Sequence, residues 1–225
     1  MRGQPEDFPL PELERLALAC LAGLGPAMDH VDSWRAQGHG LEQIYLHGIA
    51  PCARLLGHWW VCDSADFGQV TIASANLQRV LYRLSEEFCG PGSDHPSGLS
   101  LLLVTEVQSQ HTLGAFMLSE FFRRHGWSVQ MLNPQDIQDV LMQLRRDWFD
   151  AVGLSLSTQR QVHALARWLP DVRAQSPNPG LCVMAGGPMA ALDPQSLKVL
   201  GVDLLCGDAQ DAVNRLTQML SVNKN

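Results

Sequence analysis

His111 stands in the run Thr105-Glu-Val-Gln-Ser-Gln-His111-Thr-Leu-Gly114, an imidazole in a polar loop that follows a short apolar segment. Imidazole is the commonest side-chain metal ligand. Further along, Gly153-Leu-Ser155-Leu-Ser157-Thr brings two hydroxyls after a second apolar run, and Ala185-Gly186-Gly187-Pro closes a third with two residues that lack a Cβ. One imidazole, a hydroxyl and a glycine floor are the parts of a site that ligates a metal and lets a long organic group pass close to the backbone. Each part also has an ordinary reading: His111 as a capping or surface histidine, Ser155 and Ser157 as helix caps, Gly186-Gly187 as a tight turn. What gives the combination meaning is that all three segments follow apolar runs of strand length.

Other chemistries lack their parts. No Gly-x-Gly-x-x-Gly follows the first apolar run and no Gly-Lys-Ser/Thr occurs, so dinucleotide and P-loop sites are disfavoured. The six cysteines (20, 52, 62, 89, 182 and 206) form no Cys-x-x-Cys pair, which disfavours a zinc knuckle or a thioredoxin-type site and suggests small buried hydrophobes. Asp66-Phe-Gly68 spells a kinase metal motif by chance, since nothing else of a kinase accompanies it.

The elements that must position the site alternate. Strands are expected at Leu99–Val104, Trp127–Leu132, Ala151–Ser155, Leu181–Ala185 and Asp203–Cys206. Helices are expected between them at His111–His125, Asp136–Arg146, Arg160–Gln175 and near Gln195, with a last one at Asp208–Leu220. Strict β-α alternation implies parallel strands and right-handed crossovers, hence a flavodoxin-like, doubly wound (Rossmann-like) sheet of order 2-1-3-4-5. Such sheets bind ligands beyond the carboxyl ends of their strands, where the three segments fall.

The first half is helical instead. Apolar stripes predict helices over Pro11–Leu24 (ended by Gly25-Pro26), Met28–Gln37, Leu41–Cys62 (kinked at Pro51) and Asp66–Phe88, together a bundle. Gly90-Pro-Gly-Ser-Asp-His-Pro-Ser-Gly98 cannot continue a helix or strand. The expected organisation is a flexible N-terminus (1–9), a helical bundle cap (10–89), a linker (90–98) and the α/β domain (99–221).

Composition narrows the partners. The chain has 225 residues, 46% of them apolar and 17% charged, which is globular composition. No apolar run reaches the roughly 18 residues of a membrane span, and the start lacks a secretory leader, so a cytoplasmic protein without membrane contact is expected. Direct nucleic-acid binding is not expected at a net charge of -7, because the densest basic spots, Arg123-Arg124 and Arg145-Arg146, read as solvated helix faces.

A family resemblance rests on these residues. Ser109-Gln110-His111-Thr112-Leu113-Gly114 resembles the Asp-x-His-x-x-Gly signature of cobalamin-binding domains, Leu154-Ser155-Leu-Ser157 their Ser-x-Leu motif, and Ala185-Gly186-Gly187 their Gly-Gly motif. Leu55-Leu-Gly57-His-Trp59-Trp60-Val-Cys-Asp63 is similar to the helical cap of that group. Within it, Gln110-His-Thr-Leu-Gly and Phe121-Phe-Arg-Arg-His-Gly-Trp127 look most like the AerR/PpaA-type photosynthesis antirepressors of purple bacteria. The resemblance implies that His111 is the lower axial ligand of cobalt, that Ser155 hydrogen-bonds the displaced benzimidazole, that Gly186 and Gly187 admit the tail, and that Trp59 or Trp60 packs on the corrin.

Three departures carry consequences. Ser109 replaces the signature Asp that orients the histidine, with Glu106 as a substitute carboxylate. Ser157 replaces the Leu of Ser-x-Leu. Val70-Thr71 stands near the spacing where adenosylcobalamin photoreceptors carry Glu-His, which favours a hydroxo- or aquocobalamin. The function implied is a non-enzymatic, light-responsive regulator acting through a DNA-binding repressor. The alternatives are a corrinoid methyl carrier of a methyltransferase system, disfavoured by Ser109, and a haem-binding relative.

Overall fold

The computed structural model describes residues 8–90, 97–105 and 112–222, which form two compact units, Met1–Phe88 and Cys89–Asn225. Six residues of the expected linker, 91–96, lie outside the described residues.

In the first unit, α1 (Leu10–Ala22) buries Leu13, Leu16, Ala17 and Cys20. Gly23, at φ +138°, breaks the chain, and α2 (Leu24–Ala36) starts at once. The Gly25-Pro26 pair expected to end the first helix therefore opens the second. Both outcomes exploit the same missing N–H, because the first turn of a helix has no acceptor for it. Phe8, expected in a flexible terminus, is buried and stacks on Trp34 at 3.9 Å between ring centroids.

The expected kink at Pro51 takes a different form. The segment α3 (Leu41–Gln43) runs through a π-helical turn (Ile44–Ile49) into α4 (Ala50–Val61). Ala50 N–H reaches back five residues to the Tyr45 carbonyl, so the turn widens just ahead of the proline that cannot donate. Trp34 lies against this turn, where a Cβ on Gly48 would come within 2.6 Å of its ring. Helix α5 (Phe67–Cys89) opens with a reciprocal cap in which Asp66 Oδ1 accepts from Gln69 N–H at 2.8 Å and Gln69 Oε1 accepts from Asp66 N–H at 2.9 Å. The kinase-like triplet is thus a helix start.

The second unit has five parallel strands in the order β2-β1-β3-β4-β5, as expected. They are β1 (Ser100–Val104), β2 (Ser128–Leu132), β3 (Ala151–Ser155), β4 (Cys182–Gly186) and β5 (Leu204–Leu205). Between and after them run α6 (Leu113–Arg124), α7 (Ile137–Arg146), α8 (Gln159–Gln175), two short helices where one was expected, α9 (Pro188–Leu192) and α10 (Pro194–Val199), and α11 (Ala209–Val222). Side chains alternate across the sheet. Leu102, Val104, Val152, Leu154, Val183 and Ala185 join α7 and α8 in one core. Leu101, Leu103 and Met184 occupy the opposite face, where they close over Gly153 so tightly that a Cβ there would meet Leu103 Cδ2 at 2.5 Å.

The basic pairs serve the fold. Both lie in last turns, favourable for cations at a helix C-terminus. Arg123 donates to the Val129 carbonyl at 3.2 Å and Arg145 to Gln175 at 2.7 Å. Among the described residues, no helix is long and apolar enough to cross a membrane. Four of the six cysteines are buried as expected; Cys89 is half-buried and Cys62 is exposed, because Cys62 sits just past the end of α4.

Candidate functional site

Beyond the strands, backbone hydrogen bonds join the carboxyl ends of β3, β4 and β5, and separately that of β1 to β2. Leu156 N–H donates to the Gly186 carbonyl at 2.9 Å, Met189 N–H to the Leu156 carbonyl at 3.0 Å, and Cys206 N–H to the Ala185 carbonyl at 3.0 Å. At β1, Thr105 N–H donates to the Leu132 carbonyl at 3.0 Å and its hydroxyl lies 3.0 Å from Asn133 Oδ1. The result is a fixed rim on which loop residues are mounted.

Ser155 and Gly186 are register partners and the last residues of β3 and β4. Alternation continues the Gly153 and Met184 side of the sheet to them, so both belong to the face of α6 and α11. Ser155 is exposed, and its hydroxyl has no partner among the described residues. Ser157 is exposed too. Neither caps α8. That role falls to Thr158, whose Oγ1 accepts from Gln161 N–H while Gln161 Oε1 accepts from Thr158 N–H at 2.7 Å. The capping explanation of the two serines is thereby removed.

The two glycines have different reasons. Gly186 has ordinary strand geometry, and a Cβ there would find Cys206 O at 3.6 Å, a normal contact. Gly187 has φ +89°, and its Cβ would fall 2.7 Å from the Leu156 carbonyl oxygen. Its lack of a side chain is required by its own backbone and by the neighbouring strand. Sequence reasoning missed Gly207, just past β5, exposed and with nothing within 4 Å of a Cβ. Gly114, in the first turn of α6, is equally open. Thr112 and Leu113 precede it, half-buried, while Ser109, Gln110 and His111 lie outside the described residues, as does Glu106.

The remaining chemistry near the rim is neutral. Burial first, then the nearby Asp211, pushes the Cys206 thiol up to about 11, so it offers no thiolate at neutral pH. No group of three or more His, Cys, Asp or Glu side chains among the described residues is arranged to hold a metal ion. A Cβ would meet nothing within 4 Å at Gly114 and Gly207 and only an ordinary contact at Gly186.

Trp59 and Trp60 lie at the end of α4 in the helical unit. Trp59 is half-buried and Trp60 is 52% exposed, edge-on to the exposed Phe67 at 6.3 Å. An aromatic in an amphipathic helix ordinarily joins the core, and neither does.

Residues 99–217, more than half of the chain, match the B12 binding domain family model, and the chain belongs to that family. The fold agrees: the structure resembles that of the monomethylamine corrinoid protein of Methanosarcina barkeri with a TM-score of 0.77, at 11% identity, over 93% of this chain and 96% of that one. In sequence it is 28% identical over 177 residues to an uncharacterised 20.5 kDa protein of the bchF-crtJ intergenic region of Rhodobacter capsulatus, covering 79% of this chain and 92% of the relative.

Proposed function

We propose that this chain is a non-enzymatic cobalamin-binding regulator that responds to light and acts through a DNA-binding repressor protein. The observation that carries the cofactor reading is the pairing of the exposed Ser155, partnerless among the described residues, with Gly186, which has only an ordinary contact for a Cβ, at the strand ends of a B12-binding domain. Bound cobalamin would supply a light-absorbing cobalt centre. His111 would ligate the cobalt from below, with Ser109 or Glu106 as weaker orienting groups than the usual Asp. Ser155 would donate its hydroxyl to the tail's base, Gly186 would let the tail pass against the backbone, and Gly187 would hold the turn that shapes the passage. Trp60, already exposed, would cover an apolar ring at no cost in lost packing. Hydroxo- or aquocobalamin is the expected form, because Val70-Thr71 provides no imidazole for the upper face.

The regulatory part is supported by the relative from the bchF-crtJ intergenic region and by the net charge of -7, which disfavours binding DNA directly. A ligand biases a partner contact only through differential affinity for two states of the protein. The second reading, a corrinoid methyl carrier, is favoured by the fold match to a corrinoid protein and opposed by Ser109.

Purified chain incubated with hydroxocobalamin should elute from gel filtration with its colour. His111→Ala should lose or shift the visible bands. Methyl transfer to the loaded protein from a donor methyltransferase would decide for the carrier. A haem spectrum without corrinoid uptake would remove both readings. Tight, sequence-specific retardation of DNA by the isolated chain would end the repressor-mediated one.

A further inference from the structure

A cavity of about 390 Å³ opens on the α7/α8 side of the sheet, its rim reaching Thr105 and Ser155 at the carboxyl ends of β1 and β3. Its floor is Val104, Leu154 and Leu156, which belong to the α7/α8 core, and Val140 of α7 closes one wall. The second wall is a stripe of α8: Arg160, Ala164, Arg167 and Trp168, at helical spacings of four, three and one. A half-open cleft of this size above core aliphatics is within the range of small-ligand pockets. Ala164 is what leaves it open, since the flanking positions of the stripe carry long side chains.

The charged groups on the wall share one sign, beside the neutral Thr105, Ser155 and Gln161. No Asp or Glu lines the cavity among the described residues. Two arginines, about 10 Å apart along the helix, do. Arg167 makes no hydrogen bond or ion pair with any described residue. The half-buried Trp168 indole adds a flat surface beside them. An apolar floor, an aromatic wall and a guanidinium at the mouth select a ligand with a flat hydrophobic body and one anionic group.

The geometry points to a second binding site, between α7 and α8, for a small amphipathic organic anion such as an aromatic carboxylate or sulfonate. Its floor and walls are the α7/α8 core and the α8 stripe, it uses neither His111 nor the glycines, and it shares Ser155 at its rim with the cobalamin reading.

The probe is 8-anilinonaphthalene-1-sulfonate, added to the full chain at low salt. Its fluorescence should rise and be excited through Trp168, and Trp168→Phe should remove most of the sensitised emission. Arg167→Gln should weaken binding at least tenfold. The neutral N-phenyl-1-naphthylamine should bind more weakly than the sulfonate and be indifferent to that change. Ala164→Leu, which fills the cavity, should abolish binding in protein that keeps its far-ultraviolet circular dichroism. Should that variant not fold, the double change R160Q/R167Q serves in its place, and it should lose binding as well. Sulfonate affinity within twofold of the parent in Arg167→Gln and in either of the last two variants overturns the proposal. So does a probe that follows Trp60→Ala, which would place it on the helical unit.

Discussion

Gly186 and Gly187 allow the tail passage to be tested apart from the fold. At Gly186 the backbone is that of a strand, and an added Cβ meets only Cys206 O at 3.6 Å. Gly186→Ala should therefore stabilise the chain by about 0.4–1 kcal/mol, by restricting the unfolded state. Gly186→Val places two more carbons at the rim without a forbidden conformation. At Gly187 the opposite holds. A non-glycine residue at φ +89° and ψ 179° costs about 1–3 kcal/mol before the 2.7 Å approach to the Leu156 oxygen is relieved. Gly187→Ala should thus lower the urea midpoint, and any loss of ligand would follow from the damaged turn. Equilibrium dialysis against hydroxocobalamin, run beside urea unfolding, separates the two. Gly186→Val should keep its midpoint and bind at least tenfold more weakly, a loss of about 1.4 kcal/mol. Unchanged affinity in folded Gly186→Val would refute the passage on the α6/α11 face. A large loss of stability in Gly186→Ala would refute the geometry itself.

Further outcomes are open to direct measurement. Leu165, fully buried under the sheet, should cost about 2–5 kcal/mol on replacement by Ala, read from urea denaturation. Gly48→Ala should cost about 1–3 kcal/mol, because the added carbon is driven into the Trp34 ring; a midpoint equal to the parent would contradict that packing. At pH 8, a thiol reagent should label only Cys62 quickly, since burial holds Cys20 and Cys182 at about 12 and Cys89 and Cys206 at about 11, and raises Cys52 as well. Those raised values also fix the sign of the alkaline response. The unfolded thiols release protons first, near 8.5, so stability should fall as the pH rises from there through about 12.

The strand order and the extent of β3 were legible because buried parallel strands appear as uninterrupted apolar runs separated by helix periods. Proline was less legible. Pro26 and Pro51 both announce a missing N–H, but whether the chain stops, starts or widens there depends on which neighbours accept the change, and Trp34 against Gly48 is one such neighbour. The glycine pair was visible and its two causes were not, because the demand on Gly187 comes from Leu156, just past the end of β3. Gly207 follows the expected strand Asp203–Cys206, but as a lone glycine before a helix it reads as an ordinary turn. The α8 cavity left only one trace in the sequence, a small residue between two arginines.

Strand β1 carries a cost during synthesis. Its apolar run is buried on both faces, yet its inner partner β3 begins about fifty residues later in the chain. At ribosomal rates of 5–20 residues per second, that is roughly 3 to 10 s in which Leu101, Leu102 and Leu103 have only β2 and α6 for cover. The edge that β3 will occupy stays open to strands of other nascent chains over that interval. The helical unit emerges earlier, and it too waits for α5, whose Asn76 bonds the Cys20 carbonyl 56 residues back. Yield in the cell should therefore depend more on chaperone capacity at β1 than on the final stability of the sheet.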